Sequence, residues 1–280
     1  MKHKHPNKKI KISIITVCFN SSKTIRKTIE SVLDQNYDNF EYIIIDGNSI
    51  DNTLDIVKEY KSRLKEKLII HCEQDYGVYD AINKGIKMAS GEIINVISSN
   101  DWLQANILKD IAGFFMVDPS IDILHGNIMM QKEIGDNTYT GIRKGGDPKS
   151  LNKVMSVNHP SCFVRSSWYS KLAYNKDYKI AGDHDFMLKS YKMGAKFKYI
   201  DRIIMIMTVG GLSNSFKTSL ESYHVLKTEG YYKNAYLFIF KRAFSISKSI
   251  ILRRLGKIIL SKKRFEKIEI AKWNTLYNFN

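Results

Sequence analysis

Four aspartates are spaced along this chain so that a fold could gather them at one place. Asp46 closes the apolar run Tyr42-Ile43-Ile44-Ile45, Asp75 follows Leu68-Ile69-Ile70, Asp101 follows Ile93-Ile94-Asn95-Val96-Ile97, and Asp183 comes much later. In an open parallel sheet, ligands bind beyond the carboxyl ends of the strands, so acids that end successive strands converge although they are distant in sequence. Carboxylates collected there can accept hydrogen bonds, hold a hard divalent cation or take a proton from a hydroxyl.

The elements that must position them are legible from periodicity. Residues 11–19 read as a buried strand, followed by a Ser-capped amphipathic helix over Lys23 to Gln35 with Ile25, Ile29, Val32 and Leu33 inward. The unit then repeats as strand 40–46, helix 53–61, strand 67–72, helix 79–88, strand 92–98 and helix 107–115. Such alternation predicts an α/β fold with a mostly parallel, Rossmann-like sheet covered on both faces. From 121 to 199 the periods shorten and Gly-rich turns occur at 135–146, which predicts an antiparallel extension.

With 280 residues, 44 % of them hydrophobic and 26 % charged, the chain can bury one substantial core and carry a tail. Its net charge of +16 is unevenly placed: residues 1–11 carry +5, residues 231–280 carry +10, and the middle only +1. The body is therefore nearly neutral, and no nucleic-acid motif accompanies the basic ends, so no nucleic-acid partner is expected. Between 235 and 260, Leu237, Phe240, Phe244, Ile251, Leu255 and Ile258 recur at near-helical spacing, opposite Lys241, Arg242, Lys248, Arg253, Arg254 and Lys257. Such a helix could lie on an anionic membrane surface or pack its apolar stripe on the main domain. Cys18, Cys72 and Cys162 show no CxxC spacing and read as buried thiols of a reducing cytosol. No signal peptide and no apolar run near the ~20 residues of a spanning helix is visible. The predicted organisation is a basic segment over 1–10, a main domain over 11–215 and a basic helical extension over 216–280.

Five stretches then invite comparison as a set. They are Ser13-Ile14-Ile15-Thr16-Val17-Cys18-Phe19-Asn20, Ser31-Val32-Leu33-Asp34-Gln35, the segment Ile45-Asp46-Gly47-Asn48-Ser49-Ile50-Asp51-Asn52-Thr53, the segment from Glu73 to Gly85, and Gly91 to Trp102. With Asn158 to Arg165 and Ile180 to Leu188, their order and spacing resemble the family 2 glycosyltransferases, inverting enzymes of GT-A fold that use nucleotide sugars. The likeness covers about residues 11–212. It implies a UDP-sugar donor, a Mn²⁺ or Mg²⁺ ion, and transfer of a hexose or N-acetylhexosamine. The implied acceptor is an undecaprenyl-diphosphate-linked saccharide of O-antigen, capsule or exopolysaccharide synthesis. The implied setting is the cytoplasmic, inner face of a bacterial plasma membrane, with the chain held peripherally.

The resemblance also implies roles. Thr16, Phe19 and Asn20 would meet the nucleotide, Asp46 would accept from uracil or ribose, and Asp75 would face the base. Asp80 and Lys84, one helical turn apart, would reach the nucleotide and its phosphates. Asn100 stands where the family has an acid, which leaves Asp101 to hold the metal; Asp183 matches the general base, with Asp185 and His159 supporting acceptor or local structure. Asp51 reads more simply as a helix cap, and Gly210 to Ser213 as a loop at the site's edge. Two other readings stay open. A sugar nucleotidyltransferase would share the strand-end acids but needs a Gly-rich basic triphosphate loop, whereas this first strand runs into Asn20-Ser21-Ser22-Lys23. A non-catalytic, membrane-associated scaffold that retains the fold gains weight from Asn100.

Overall fold

The computed structural model describes residues 9–209, 216–231 and 262–277. Strands β1 (Ile12–Cys18) and β2 (Phe40–Asp46) are buried at every position, as their unbroken apolar runs require of strands covered on both faces. With β3 (Leu68–Cys72) and β4 (Ile93–Ser98) they form a parallel half-sheet in the order β3-β2-β1-β4.

Side chains alternate across this sheet and divide the interior into two cores. Ile12, Ile14, Tyr42 and Ile44 pack with α1 (Ile25–Leu33), α2 (Thr53–Glu59), the short α3 (Lys61–Leu64) and residues that belong to the helix 107–117. Ile15, Val17, Ile43 and Ile45 pack with α4 (Val78–Met88) and with residues from later in the chain. Burying each such isoleucine contributes roughly 2 kcal/mol, so the half-sheet is a rigid base for whatever its ends carry. Helix α1 differs from expectation at its start. Thr24 precedes it without a side-chain cap, and the carbonyl of Ser21 takes the N–H groups of Thr24 and Ile25 instead.

Beyond β4 the chain adds β5 (Asp101–Leu103), α5 (Ile107–Val117), β6 (Ile123–Ile134), β7 (Asn137–Arg143), β8 (Phe163–Arg165), α6 (Ser166–Tyr169), α7 (Gly182–Lys192) and β9 (Phe197–Thr208). The sheet continues past β4 as β8-β6-β9-β5, with β7 on β6. These ladders are antiparallel as predicted, except that β6 and β9 run parallel with register shifts between His125 and Ile128. The parallel pair needs a long crossover, and the crossover is the stretch that carries α6 and α7.

Helix α8 (Phe216–Thr228) adds Val225 and Leu226 to the α4 side of the core. Helix α9 (Lys262–Tyr277) lies against the β6–β7 hairpin: Trp273 is buried and donates its indole N–H to Thr140 O at 3.3 Å, and Lys132 pairs with Glu269 at 2.7 Å. This part of the extension packs on the main domain. The amphipathic stretch 235–260, the loop 210–213 and residues 1–8 of the basic leader lie outside the described residues. No helix among the described residues is long and apolar enough to cross a membrane.

Candidate active site

Parallel register sets Cys18, Asp46 and Cys72 side by side at the carboxyl ends of β1, β2 and β3, and brings Ser98 opposite Val17 on the other flank of β1. Strand order reverses between β2 and β4 around β1, which opens a crevice at that point. The four aspartates converge on this end, but they separate into two sealed and two open.

Asp46 is sealed. It is 0 % exposed and its carboxylate accepts from Ser49 N at 2.8 Å, Ser49 Oγ at 2.5 Å, Cys72 Sγ at 3.3 Å and Cys18 Sγ at 3.5 Å. Without ligand, its acceptor capacity is engaged by the turn after β2 and by the two flanking thiols. Burial, then the neighbouring Asp46 carboxylate, pushes the Cys18 thiol far up, so it stays a neutral donor. Cys18 and Cys162 are buried as expected, whereas Cys72 is exposed, and all three thiols are free. Thr16 is also sealed: at 0 % exposure its hydroxyl lies 2.9 Å from Tyr42 Oη, inside the α1 core, because the pleat turns it away from the crevice.

Asp75 is half-buried and open. One carboxylate oxygen accepts from Gly77 N at 3.0 Å, and the other rests against Gly47, where an added Cβ would come within 2.6 Å of it. Gly47 thus admits Asp75 to the mouth of β1 and β2. Phe19 borders the same spot and is 60 % exposed, which no buried role explains. Asn20 adopts φ 48°, and its side chain accepts from Ile50 N at 2.9 Å while its own N–H donates to Ser49 Oγ at 2.8 Å. It locks the β1 and β2 loops together, a positioning duty. Asp51 accepts from Ser22 N and from the Thr53 N–H and hydroxyl, which holds its carboxyl below the usual range and fits the cap reading.

Asp80 and Lys84 pin the loop between β3 and α4. Asp80 accepts from Tyr76 N at 3.1 Å; Lys84 donates to Gln74 O at 2.8 Å and pairs with Glu73 at 3.2 Å and Asp80 at 3.5 Å. Without ligand, their charges are engaged with each other and with the loop.

Asp101 is the second sealed acid. It is 1 % exposed because it opens β5 and is paired with Met207 of β9, and one carboxylate oxygen has no partner. Burial raises its pKa to about 7, against the lowering effect of a hydrogen bond from the Thr208 backbone. Asn100, half-buried, donates to Thr208 Oγ1 at 3.3 Å. Among the described residues no group of three or more His, Cys, Asp or Glu side chains comes together as a cation site. With one carboxylate beside an amide, a divalent ion held here would need diphosphate oxygens and waters to complete its shell, and the unpartnered Asp101 oxygen is the protein group that would hold it.

Two predictions arise here. A carboxyl whose folded pKa is raised gives a stability penalty that is absent below its unfolded value near 4 and complete above its folded value near 7. Asp101→Asn removes that ionisation, so thermal unfolding should show a Tm gain of several degrees at pH 8 and little change at pH 4. A Tm loss at pH 8 contradicts the sealed-acid assignment. Asn100→Asp, in turn, should raise affinity for Mn²⁺ alone at least about 10-fold in titration calorimetry, since hard cations select carboxylate over amide. Unchanged Mn²⁺ binding would show that residue 100 does not face a cation position.

Asp183 is the second open acid. It lies half-buried in the first turn of α7, where the helix dipole favours a carboxylate, and one oxygen accepts from His184 N at 2.7 Å. Tyr79 of α4 donates to Ile180 O at 2.6 Å and reaches the same Asp183 oxygen at 3.5 Å. The Tyr79 ring stacks on Tyr174 at 5.7 Å, and Tyr174 stacks on Phe186 at 4.5 Å, so an aromatic column backs Asp183. His159 Nε2 is 2.7 Å from Tyr174 Oη; burial lowers its pKa, opposed by Asp183 nearby. It is a neutral imidazole joined to the column. Asp185 has a different place from Asp183: it is 1 % exposed and pairs with Lys189 at 2.8 Å, with its pKa raised by burial. Of its two proposed duties, only support of local structure remains.

Sequence reasoning passed over Tyr79, Tyr174 and Glu221. Glu221 of α8 accepts from the backbone N–H groups of Lys179, Ile180 and Ala181, at 2.8 to 3.2 Å, and so fixes the segment entering α7. Tyr79 and Glu221 act across forty or more positions of chain, and Tyr174 joins Tyr79, His159 and Phe186 from a stretch that carries no motif. Tyr79 lay within the stretch Glu73 to Gly85 and could have been found there as the aromatic beside Asp80.

A parallel half-sheet with open acids at its carboxyl end, joined to a largely antiparallel extension, defines a nucleotide-sugar transferase of the GT-A class. Solved structures share that fold. Staphylococcus aureus TarS 1-349 in complex with UDP-GlcNAc superposes with a TM-score of 0.62 at 23 % identity, covering 87 % of this chain and 75 % of that one. Its complex with UDP gives a TM-score of 0.58 at 24 % identity, covering 79 % of this chain and 65 % of that one. The mannosyltransferase PcManGT of Pyrobaculum calidifontis, in complex with GDP-Man and Mn²⁺, gives 0.61 at 14 % identity over 98 % and 82 %. Transferases of this fold typically use a divalent ion. In sequence, the PGL/p-HBAD biosynthesis glycosyltransferase of Mycobacterium bovis (strain BCG / Pasteur 1173P2) is 30 % identical over 209 residues, which is 72 % of this chain and 79 % of that protein. The model of Glycosyl transferase family 2 matches residues 13–174. This chain belongs to glycosyl transferase family 2 and is a glycosyltransferase. Asp183 lies beyond the matched span, so its role rests on geometry.

Proposed function

We propose that the chain transfers a hexose or N-acetylhexosamine from a UDP-sugar to a hydroxyl of a lipid-linked saccharide, with inversion at the anomeric carbon. The observation that carries this reading is the partition of the four acids: Asp75 is open beside Phe19, and Asp183 is open in the first turn of α7 on its aromatic column. Phe19 offers a ring face to the uracil and Asp75 an acceptor to its N–H, as purine- and pyrimidine-binding crevices at sheet ends require. Asp183 takes the acceptor's proton as the oxygen attacks the anomeric carbon, while the bond to UDP breaks and the diphosphate leaves with the electron pair. An α-linked donor then gives a β-glycoside.

No step is assigned to a metal. Mn²⁺ or Mg²⁺ enters this reading as the counter-ion of the donor diphosphate, because such ions keep waters and bind phosphate oxygens without a dedicated protein cage. The relatives support the substrate class: TarS 1-349 is solved in complex with UDP-GlcNAc, and the mycobacterial protein is named a PGL/p-HBAD biosynthesis glycosyltransferase. A cell-surface glycan acceptor on an undecaprenyl diphosphate, and peripheral attachment to the inner face of a bacterial membrane through the basic residues 231–280, complete the proposal. Attachment is checked by co-sedimentation with phosphatidylglycerol vesicles; a supernatant that keeps all the protein removes that part.

Asn100 and the sealed Asp101 favour one second reading, a scaffold that binds nucleotide without turning it over. UDP release from UDP-glucose, UDP-galactose and UDP-N-acetylglucosamine, with and without a GlcNAc-diphosphate-lipid, separates the two. Acceptor-stimulated release from one donor is expected. UDP binding with no release from any donor supports the scaffold, and failure to bind UDP removes the nucleotide site.

A further inference from the structure

Between the loop after β3 and the segment that leads into α7, the surface carries a cavity of about 400 Å³ lined by Tyr76, Lys176, Asp177 and Lys179. Nothing in the donor chemistry uses it. Tyr76 is 78 % exposed, yet its backbone is held from two directions: its N–H donates to Asp80, and its carbonyl accepts from Lys179 Nζ at 2.9 Å. An exposed ring on a pinned loop offers a flat apolar face of the kind on which a pyranose stacks.

The opposite wall is equally fixed. Glu221 collects three consecutive backbone N–H groups from Lys179 to Ala181, and Ile180 O accepts from the Tyr79 hydroxyl that also reaches Asp183. The cavity is thereby built onto the same rigid segment as the base. Lys176 and Lys179 form no ion pair among the described residues; Asp177 lines the cavity with them, while Asp80, whose carboxyl Lys176 helps to hold down, and Glu221, which takes the Lys179 N–H, stand nearby. Lys179 spends one of its three donors on a neutral carbonyl, which leaves two for an anion.

We propose that this cavity is an acceptor subsite for a sugar that carries a phosphate, with the ring on Tyr76, hydroxyls on Asp177 and the phosphate between Lys176 and Lys179. The inference rests on the transferase reading and deepens it: the acceptor is anionic beside the sugar that is extended. The same phosphate chemistry could come from a lipid headgroup, so the test has an arm for each source.

The experiment is titration of the full chain, saturated with UDP, with glucose 1-phosphate, galactose 1-phosphate and N-acetylglucosamine 1-phosphate, beside the corresponding neutral methyl glycosides. At least one sugar phosphate should bind the wild type. Lys176→Ala with Lys179→Ala should weaken it about 10-fold or more, as loss of charged hydrogen bonds does, while UDP affinity stays unchanged. Tyr76→Ala should weaken phosphate and neutral sugar alike. Equal sugar-phosphate binding by wild type and the double variant, or none by either, overturns the subsite. Loss of phosphatidylglycerol-vesicle binding in the double variant without any effect on sugar phosphate also overturns it, by assigning the lysines to a headgroup. Because these are binding readouts, a transferase that fails on every donor would leave this result standing apart from that failure.

Discussion

Asp183→Asn should lose about 10³-fold in turnover, within the range expected for removal of a positioned general base, while UDP affinity stays within about 2-fold of wild type. The split follows from placement. The Asp183 carboxylate lies in the first turn of α7, backed by Tyr79 and Tyr174, and Phe19 and Asp75, proposed to face the nucleoside, lie just past the ends of β1 and β3. Asparagine keeps the acceptor for His184 N and the size of the side chain but cannot take a proton. Single-turnover UDP release with saturating donor and acceptor checks this, together with calorimetric UDP binding. Full turnover in the variant would remove Asp183 from the chemistry.

Gly182→Ala should lower kcat by about 10- to 100-fold and destabilise the fold by roughly 1–3 kcal/mol. A Cβ at this position would lie 2.7 to 2.8 Å from three atoms of the Tyr79 ring. That ring has nowhere to go: it is 5 % exposed, stacked on Tyr174 and hydrogen-bonded to Ile180 O. Relief must come from α7, whose next residue is Asp183, the proposed base. Thermal unfolding and kcat are the readouts, with KM for the donor expected to change little. A variant with wild-type Tm and kcat would show that α4 and α7 do not meet as closely as described.

Much of the architecture could be read from residue order. The unbroken apolar runs of β1 and β2 can be buried only between two helical layers, and they end where Asp46 and the β1 loop begin. Convergence of the strand-end acids follows from parallel register, which periodicity implies. What periodicity cannot show is how each acid's lone pairs are used. Asp46 is saturated by thiols from β1 and β3 and by Ser49, and Asp101 is sealed by a strand more than a hundred residues later. Thr16 looked available because it stands near a strand end, yet the pleat directs it to Tyr42. The parallel β6–β9 pair was hidden for a similar reason, since the helical crossover between them is interrupted by irregular chain. Local pattern thus located the site, and long-range contacts decided which of its residues are open.

The central claim is a single displacement in which a hydroxyl activated by Asp183 attacks the anomeric carbon. The proton NMR spectrum of the product made from an α-linked UDP-sugar tests it most directly, by the coupling of the new anomeric proton. A β-linked product is predicted. An α-linked product would mean retention, which one in-line displacement cannot give, and would contradict the account.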